Sequence, residues 1–123
     1  MTESPITKHG FDLEARTLEF AKRVTRLCKT VRADTINREI IGQLVRASGS
    51  VGANYREAND ALSKKDFGHR IRITRKEAKE AHFWLQLLEE ATTATGETKA
   101  LLQEAMELRK IFSSIAEKSV KSA

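Results

Sequence analysis

Apolar residues return at every third or fourth position through four successive stretches of this chain, and that period commits the backbone to helix. The first stretch puts Leu13, Phe20, Val24, Leu27 and Val31 on one stripe, flanked by Thr17 and Cys28. The second carries Ile36, Ile40, Leu44, Ala47, Val51, Tyr55, Ala58 and Leu62. The third carries Phe67, Ile71, Thr74, Ala78, Ala81, Leu85 and Leu88, and the fourth Leu101, Ala105, Leu108, Phe112 and Ile115. With one proline and 6% aromatic residues, the chain has little from which to build a sheet.

The spacing predicts helices over residues 12–31, 36–62 and 63–93, and a fourth from the turn at 92–97 to 119. Asp34 or Thr35 suits the cap of the second helix. Ser63 and Asp66 have the spacing of a capping box, with aspartate in place of the usual glutamate or glutamine. Four such helices on short links fold back as an all-α, antiparallel, up-down-up-down four-helix bundle. A chain of 123 residues makes one domain and buries a core without disulfides. Residues 1–10 read as a flexible lead, 11–119 as the bundle and 120–123 as a frayed tail.

The second helix holds Gly42, Gly49 and Gly52, and each interior glycine costs about 0.8–1 kcal/mol relative to alanine. The alternative is a kink or break near Gly49, but the apolar stripe stays in phase across all three. Ile41, Val45, Ser48, Gly49 and Gly52 form a small-residue face beside the main stripe, where another helix backbone can approach closely. On the third helix Ile73, Trp84, Leu87 and Ala91 make a second stripe, about 100° from the first. That is more apolar surface than one core takes. The expected subunit interface of a homo-oligomer is therefore Ile41, Val45, Gly49, Gly52, Ile73, Trp84 and Leu87.

Catalytic chemistry is hard to find. His9, His69 and His82 have no metal-ligand spacing, and Glu77-x-x-Glu80 lacks the histidine of helical di-iron motifs. No glycine loop follows a strand. The expectation is a non-enzyme with no catalytic residue, metal or cofactor. Cys28, the lone cysteine, reads as core filler. Residues 1–10 show no secretory pattern, and no apolar run approaches the roughly 20 residues of a membrane span. The expected location is the cytoplasm.

The net charge of +5 favours a polyanionic partner. Arg72, Arg75, Lys76 and Lys79 cluster within about 100° of the third helix, beside Lys64 and Lys65, while Glu77 and Glu80 point elsewhere. Such a stripe can follow an RNA or DNA backbone through charge alone. The alternative is a solvated face paired to neighbouring helices. Only Phe83 supplies an aromatic near this face, which gives base stacking little support. Asn54, on the apolar stripe, reads as a polar contact that fixes register, aimed at another helix end.

The run Gln43-Leu44-Val45-Arg46-Ala47-Ser48-Gly49-Ser50-Val51-Gly52-Ala53-Asn54-Tyr55-Arg56-Glu57-Ala58 carries a resemblance. So do Phe11-Asp12-Leu13, Ser63-Lys64-Lys65-Asp66-Phe67, Lys76-Glu77-Ala78-Lys79-Glu80 and Trp84-Leu85-Gln86-Leu87-Leu88. Together they resemble the bacterial four-helix-bundle proteins encoded in intervening sequences of large-subunit ribosomal RNA genes, from about Phe11 to Ala116. That family often has proline and isoleucine before the Ala-Asn pair and glycine after the glutamate; here Gly52, Val51 and Ala58 stand there. The resemblance implies a homo-oligomer, commonly a pentameric ring, with no known catalytic activity. It also implies a proposed nucleic-acid role, and related bundles serve as accessory subunits of diversity-generating retroelements. The rival expectation is a scaffold whose partner is another protein.

Overall fold

A computed structural model of the protein describes residues 5–93 and 95–122, with side chains described over 13–93 and 95–120. Four helices account for nearly all of it: α1 (Pro5–Lys29), α2 (Thr35–Asn59), α3 (Lys64–Ala91) and α4 (Gly96–Ser122). No strand occurs among the described residues.

Each helix packs on its neighbours in chain order, and α1 closes the ring against α4. Cross-helix pairs fix the directions. Thr17 of α1 lies against Gly52 of α2, and Glu14 accepts from Asn59 Nδ2 at 2.8 Å, so these two helices run antiparallel. Arg16 reaches Glu104 and Arg23 reaches Glu97, which makes α1 antiparallel to α4. Gly68 sits beside Ser119, and His82 beside Arg109, so α3 opposes α4. It follows that α2 and α3 are antiparallel as well. The fold is the predicted all-α, up-down-up-down bundle.

The core is the four stripes meeting along the axis. Phe20, Val24, Leu44, Val51, Ile71, Leu85, Leu88, Leu101, Leu108 and Phe112 are all but inaccessible to solvent. Tyr55 of α2 crosses the axis to Phe112 of α4, with ring centroids 5.4 Å apart. The buried hydroxyls of Thr17 and Thr74 donate to the carbonyls of Leu13 and Arg70 at 2.8 and 2.9 Å, so neither is left unpaired in the core. Cys28 is buried, and desolvation pushes its thiol up to about 11, which keeps it unreactive near neutral pH.

Several boundaries differ from the periodic reading. Helix α1 starts at Pro5 rather than residue 12; proline suits a first helical turn because its φ is preset and its missing N–H is not needed there. Met1 to Ser4 of the expected lead lie outside the described residues, as do the side chains through residue 12, His9 included. At the other end α4 continues to Ser122, past the expected end at 119, and Ala123 lies outside the described residues.

Asp34 caps α2 by accepting from Asn37 N, and the helix ends at Asn59 rather than residue 62. Two residues assigned to its stripe fall outside the core: Leu62, beyond the helix end, is 99% exposed, and Ile36, in the first turn, is 68% exposed. Asn37 takes the interior place instead and ties Nδ2 to the Arg32 carbonyl at 2.9 Å. Asn54 does not reach another helix; its Nδ2 donates to the Ser50 carbonyl, one turn back at 2.9 Å.

Helix α2 runs unbroken through its glycines. At Gly42 and Gly49 an added Cβ would meet nothing within 4 Å. At Gly52 it would lie 3.1 Å from Thr17 Oγ1, so this glycine sets how closely α1 and α2 approach. Gly42→Ala should therefore raise stability by about 0.8–1 kcal/mol. Gly52→Val, driven into Thr17, should cost about 1–3 kcal/mol. Urea midpoints at fixed protein concentration check both.

Candidate functional site

The face that stands out for chemistry lies on α3. Ser63 caps this helix by accepting from Asp66 N at 3.0 Å, which is the first half of the predicted box. Beyond the cap, the side chains sort by charge. Arg46 of α2 reaches across to both acids of the central turn: Nη1 lies 3.3 Å from Glu77 Oε1, and Nη2 lies 3.0 Å from Glu80 Oε1. Glu77 is largely covered at this seam, its side chain 12% exposed.

Arg72, Arg75, Lys76 and Lys79 are left on the other flank. With Glu80 and Phe83 they line a shallow groove of about 340 Å³. Among the described residues Arg72, Arg75 and Lys79 make no ion pair, and Lys76 makes one loose contact with Glu80 at 3.9 Å. Lys64 and Lys65 stand exposed and unpaired in the first turn of the helix. Lys65 is seven residues before Arg72, two turns or about 10.5 Å along the axis, so it extends the same stripe.

The same sorting occurs on α4, where the sequence reading missed it. Glu104 takes Arg16 of α1 in a two-point bond of 2.8 and 2.8 Å, Glu107 adds a third at 3.0 Å, and Glu97 binds Arg23 at 2.9 Å. Hydrogen bonding to Glu104 pushes the Arg16 guanidinium up. With those acids drawn toward α1, Arg109 remains on the flank near α3 and Lys110 on the outward face, both lining a second groove of about 310 Å³ with Ser113, Ser114 and Glu117. The available signal was the spacing of Glu97, Glu104 and Glu107, which places all three on one side of the α4 wheel, away from Arg109.

The residues expected at a subunit interface divide between two helix flanks. Gly52 packs on Thr17 of its own chain. Ile41 and Val45 lie within about 20° of Gly52 on the wheel and so share its α1-facing flank. Ile41 is half-buried there and Val45 is 40% exposed. Gly49 sits further out, in the open. Ile73 and Trp84 fall within about 40° of Glu77, on the flank that faces α2, and both are half-buried. Leu87, further round, is 37% exposed.

No group of three metal-binding side chains occurs among the described residues, and no described helix is long and apolar enough to cross a membrane. A cavity of about 420 Å³ between the two loops at one end is lined by several threonines. Their hydroxyls are largely committed to the fold: Thr30 and Thr92 donate to the Leu27 and Leu88 carbonyls at 2.7 Å, and Thr95 pairs with Thr98.

The profile of a family described as 23S rRNA-intervening sequence protein matches residues 11–114. A crystal structure from Bacteroides thetaiotaomicron VPI-5482, described as a protein with unknown function from the S23 ribosomal protein family, is 31% identical. The likeness covers 84% of this chain and 96% of that one, with a TM-score of 0.74. No curated protein matches the sequence.

Between the two basic grooves, Arg109 Nη1 lies 3.4 Å from His82 Nδ1. Burial first, and then repulsion by Arg109, hold the imidazole below its ordinary 6.5. The fold thus favours neutral His82, and the unfolded chain takes up the proton first as pH falls. This contribution is complete above about pH 6.5 and is lost as pH falls through the lower folded value. Stability should decline below pH 6.5 more steeply in the wild type than in His82→Gln, as read from urea midpoints across pH 5–7.5.

Proposed function

The chain belongs to the 23S rRNA-intervening sequence protein family, and on that premise we propose a non-enzymatic, cytoplasmic, homo-oligomeric bundle that holds an RNA or DNA backbone on the outward face of α3. The observation that carries this reading is the division of charge across the helix. Glu77 and Glu80 are taken up by Arg46, and among the described residues the cations opposite make no ion pair beyond the loose Lys76–Glu80 contact. Unpaired guanidinium and ammonium groups along one helix are free to displace counterions from phosphates. Lys64 and Lys65 lengthen the track, and Arg109 and Lys110 broaden it toward α4.

Retention on a generic RNA should weaken steeply with salt. Neutralising Arg75 alone should lower the log–log salt slope by about one. Reversing Arg72, Arg75, Lys76 and Lys79 together should abolish retention. Arg46→Ala, which releases two carboxylates beside the face, should weaken it. Wild-type protein that binds no nucleic acid at low salt would remove the proposal.

The homo-oligomer, a pentameric ring by analogy with the family, draws support from two helix flanks whose apolar side chains are only partly covered. A closed ring needs two different patches on each subunit, one to fit the other. Ile41, Val45 and Gly49 on one flank of α2, and Ile73, Trp84 and Leu87 on the α2-facing side of α3, supply such a pair. Light scattering at micromolar concentration should give a pentamer, and Val45→Asp with Leu87→Asp should dissociate it; a single-chain mass for the wild type would contradict this. The same exposed apolar side chains favour a second reading, a scaffold or accessory subunit for another protein. Partners captured from lysate that survive nuclease treatment would favour it.

A further inference from the structure

We infer that the α3 groove is built for a single strand, with one base stacked on Phe83; this rests on the backbone-binding reading above. Phe83 is 53% exposed, an unusual position for a phenyl ring that packs nowhere in the core. It lines the same groove as Arg72, Arg75, Lys76 and Lys79. Its ring meets Trp84 edge-on, with centroids 5.2 Å apart and planes at 85°. Trp84 in turn is packed against the buried core, so the phenyl ring rides on a fixed support. Glu80, the acid in the groove, is occupied by Arg46 and Lys76.

The spacing suits one strand. Lys79 precedes Phe83 by about 6 Å along the helix, Lys76 by about 10.5 Å and Arg72 by about 16.5 Å. One cation per helical turn is close to one phosphate per nucleotide of an extended strand. A base placed on the ring would then have its successive phosphates over Lys79, Lys76 with Arg75, and Arg72. A duplex offers the same phosphates but keeps its base faces stacked inside, so it gains nothing from the ring. Any base has a face to stack, so little sequence preference is expected.

Anisotropy titrations of full-length protein with a 12-nucleotide single strand, as RNA and as DNA, and with a 12-base-pair duplex test this. The wild type should prefer the single strands. Phe83→Ala and Phe83→Leu should weaken single-strand binding about tenfold and leave duplex binding unchanged, while Phe83→Tyr restores it. Single-strand affinity unaffected by Phe83→Ala overturns this inference and leaves the backbone reading standing. So does a Phe83→Ala protein whose oligomeric mass has changed, since the ring would then belong to a subunit contact. A wild type that binds neither strand nor duplex at low salt overturns both.

Discussion

The whole molecule depends on four apolar stripes closing over one axis. Each helix alone would hold its stripe in water, and isolated helices of this kind are marginal. Brought together, Phe20, Leu44, Leu85 and Phe112 exclude solvent from a continuous interior, and the partly covered Trp84, Ile41 and Phe67 pack onto its edges. Once the stripes are fixed on the axis, every other residue's angle is set. The seams between helices, the outward faces and the partners each charge can reach all follow from that one demand.

The charges then settle at the seams. Carboxylates of α3 and α4 lean sideways to arginines of α2 and α1, where the ions are partly shielded from water and their hydrogen bonds count for more. Arginines offered from the neighbouring helices are matched there, while among the described cations of α3 and α4 only Lys76 makes an ion pair, a loose one with Glu80. The outward surface of that hairpin is thereby more positive than the modest net charge of the chain suggests. This is a local property of side-chain placement, and composition alone does not contain it.

Much of the fold was legible because periodicity reports angle. The in-phase stripe carried α2 correctly through three glycines, and Asp34 and Ser63 announced their caps by residue type and spacing. The failures have one cause: a wheel says which way a residue points and not what it meets. Ile36 kept phase with the stripe in the first turn of α2 and Leu62 three residues past its end, and both stand exposed there. Gly52 was read as open to a second chain, yet it meets Thr17. Asn54 could satisfy itself within its own helix, which no spacing rule forbids. At the candidate site the basic stripe was visible in the sequence, but its release from internal pairing was not, because that required knowing that Arg46 faces Glu77 and Glu80. Arg109 and Lys110 were missed for the same reason.

The order of neighbours around the bundle also governs how it assembles. Three of the four packed helix pairs are joined by short links, so their pairing closes small loops at little entropic cost. Only α1 against α4 joins distant parts of the chain, and that seam relies on Arg16 with Glu104 and Arg23 with Glu97. Hairpins should therefore form early and the α1–α4 closure last. Loosening the Arg16 clasp would then hasten unfolding and leave the folding rate almost untouched.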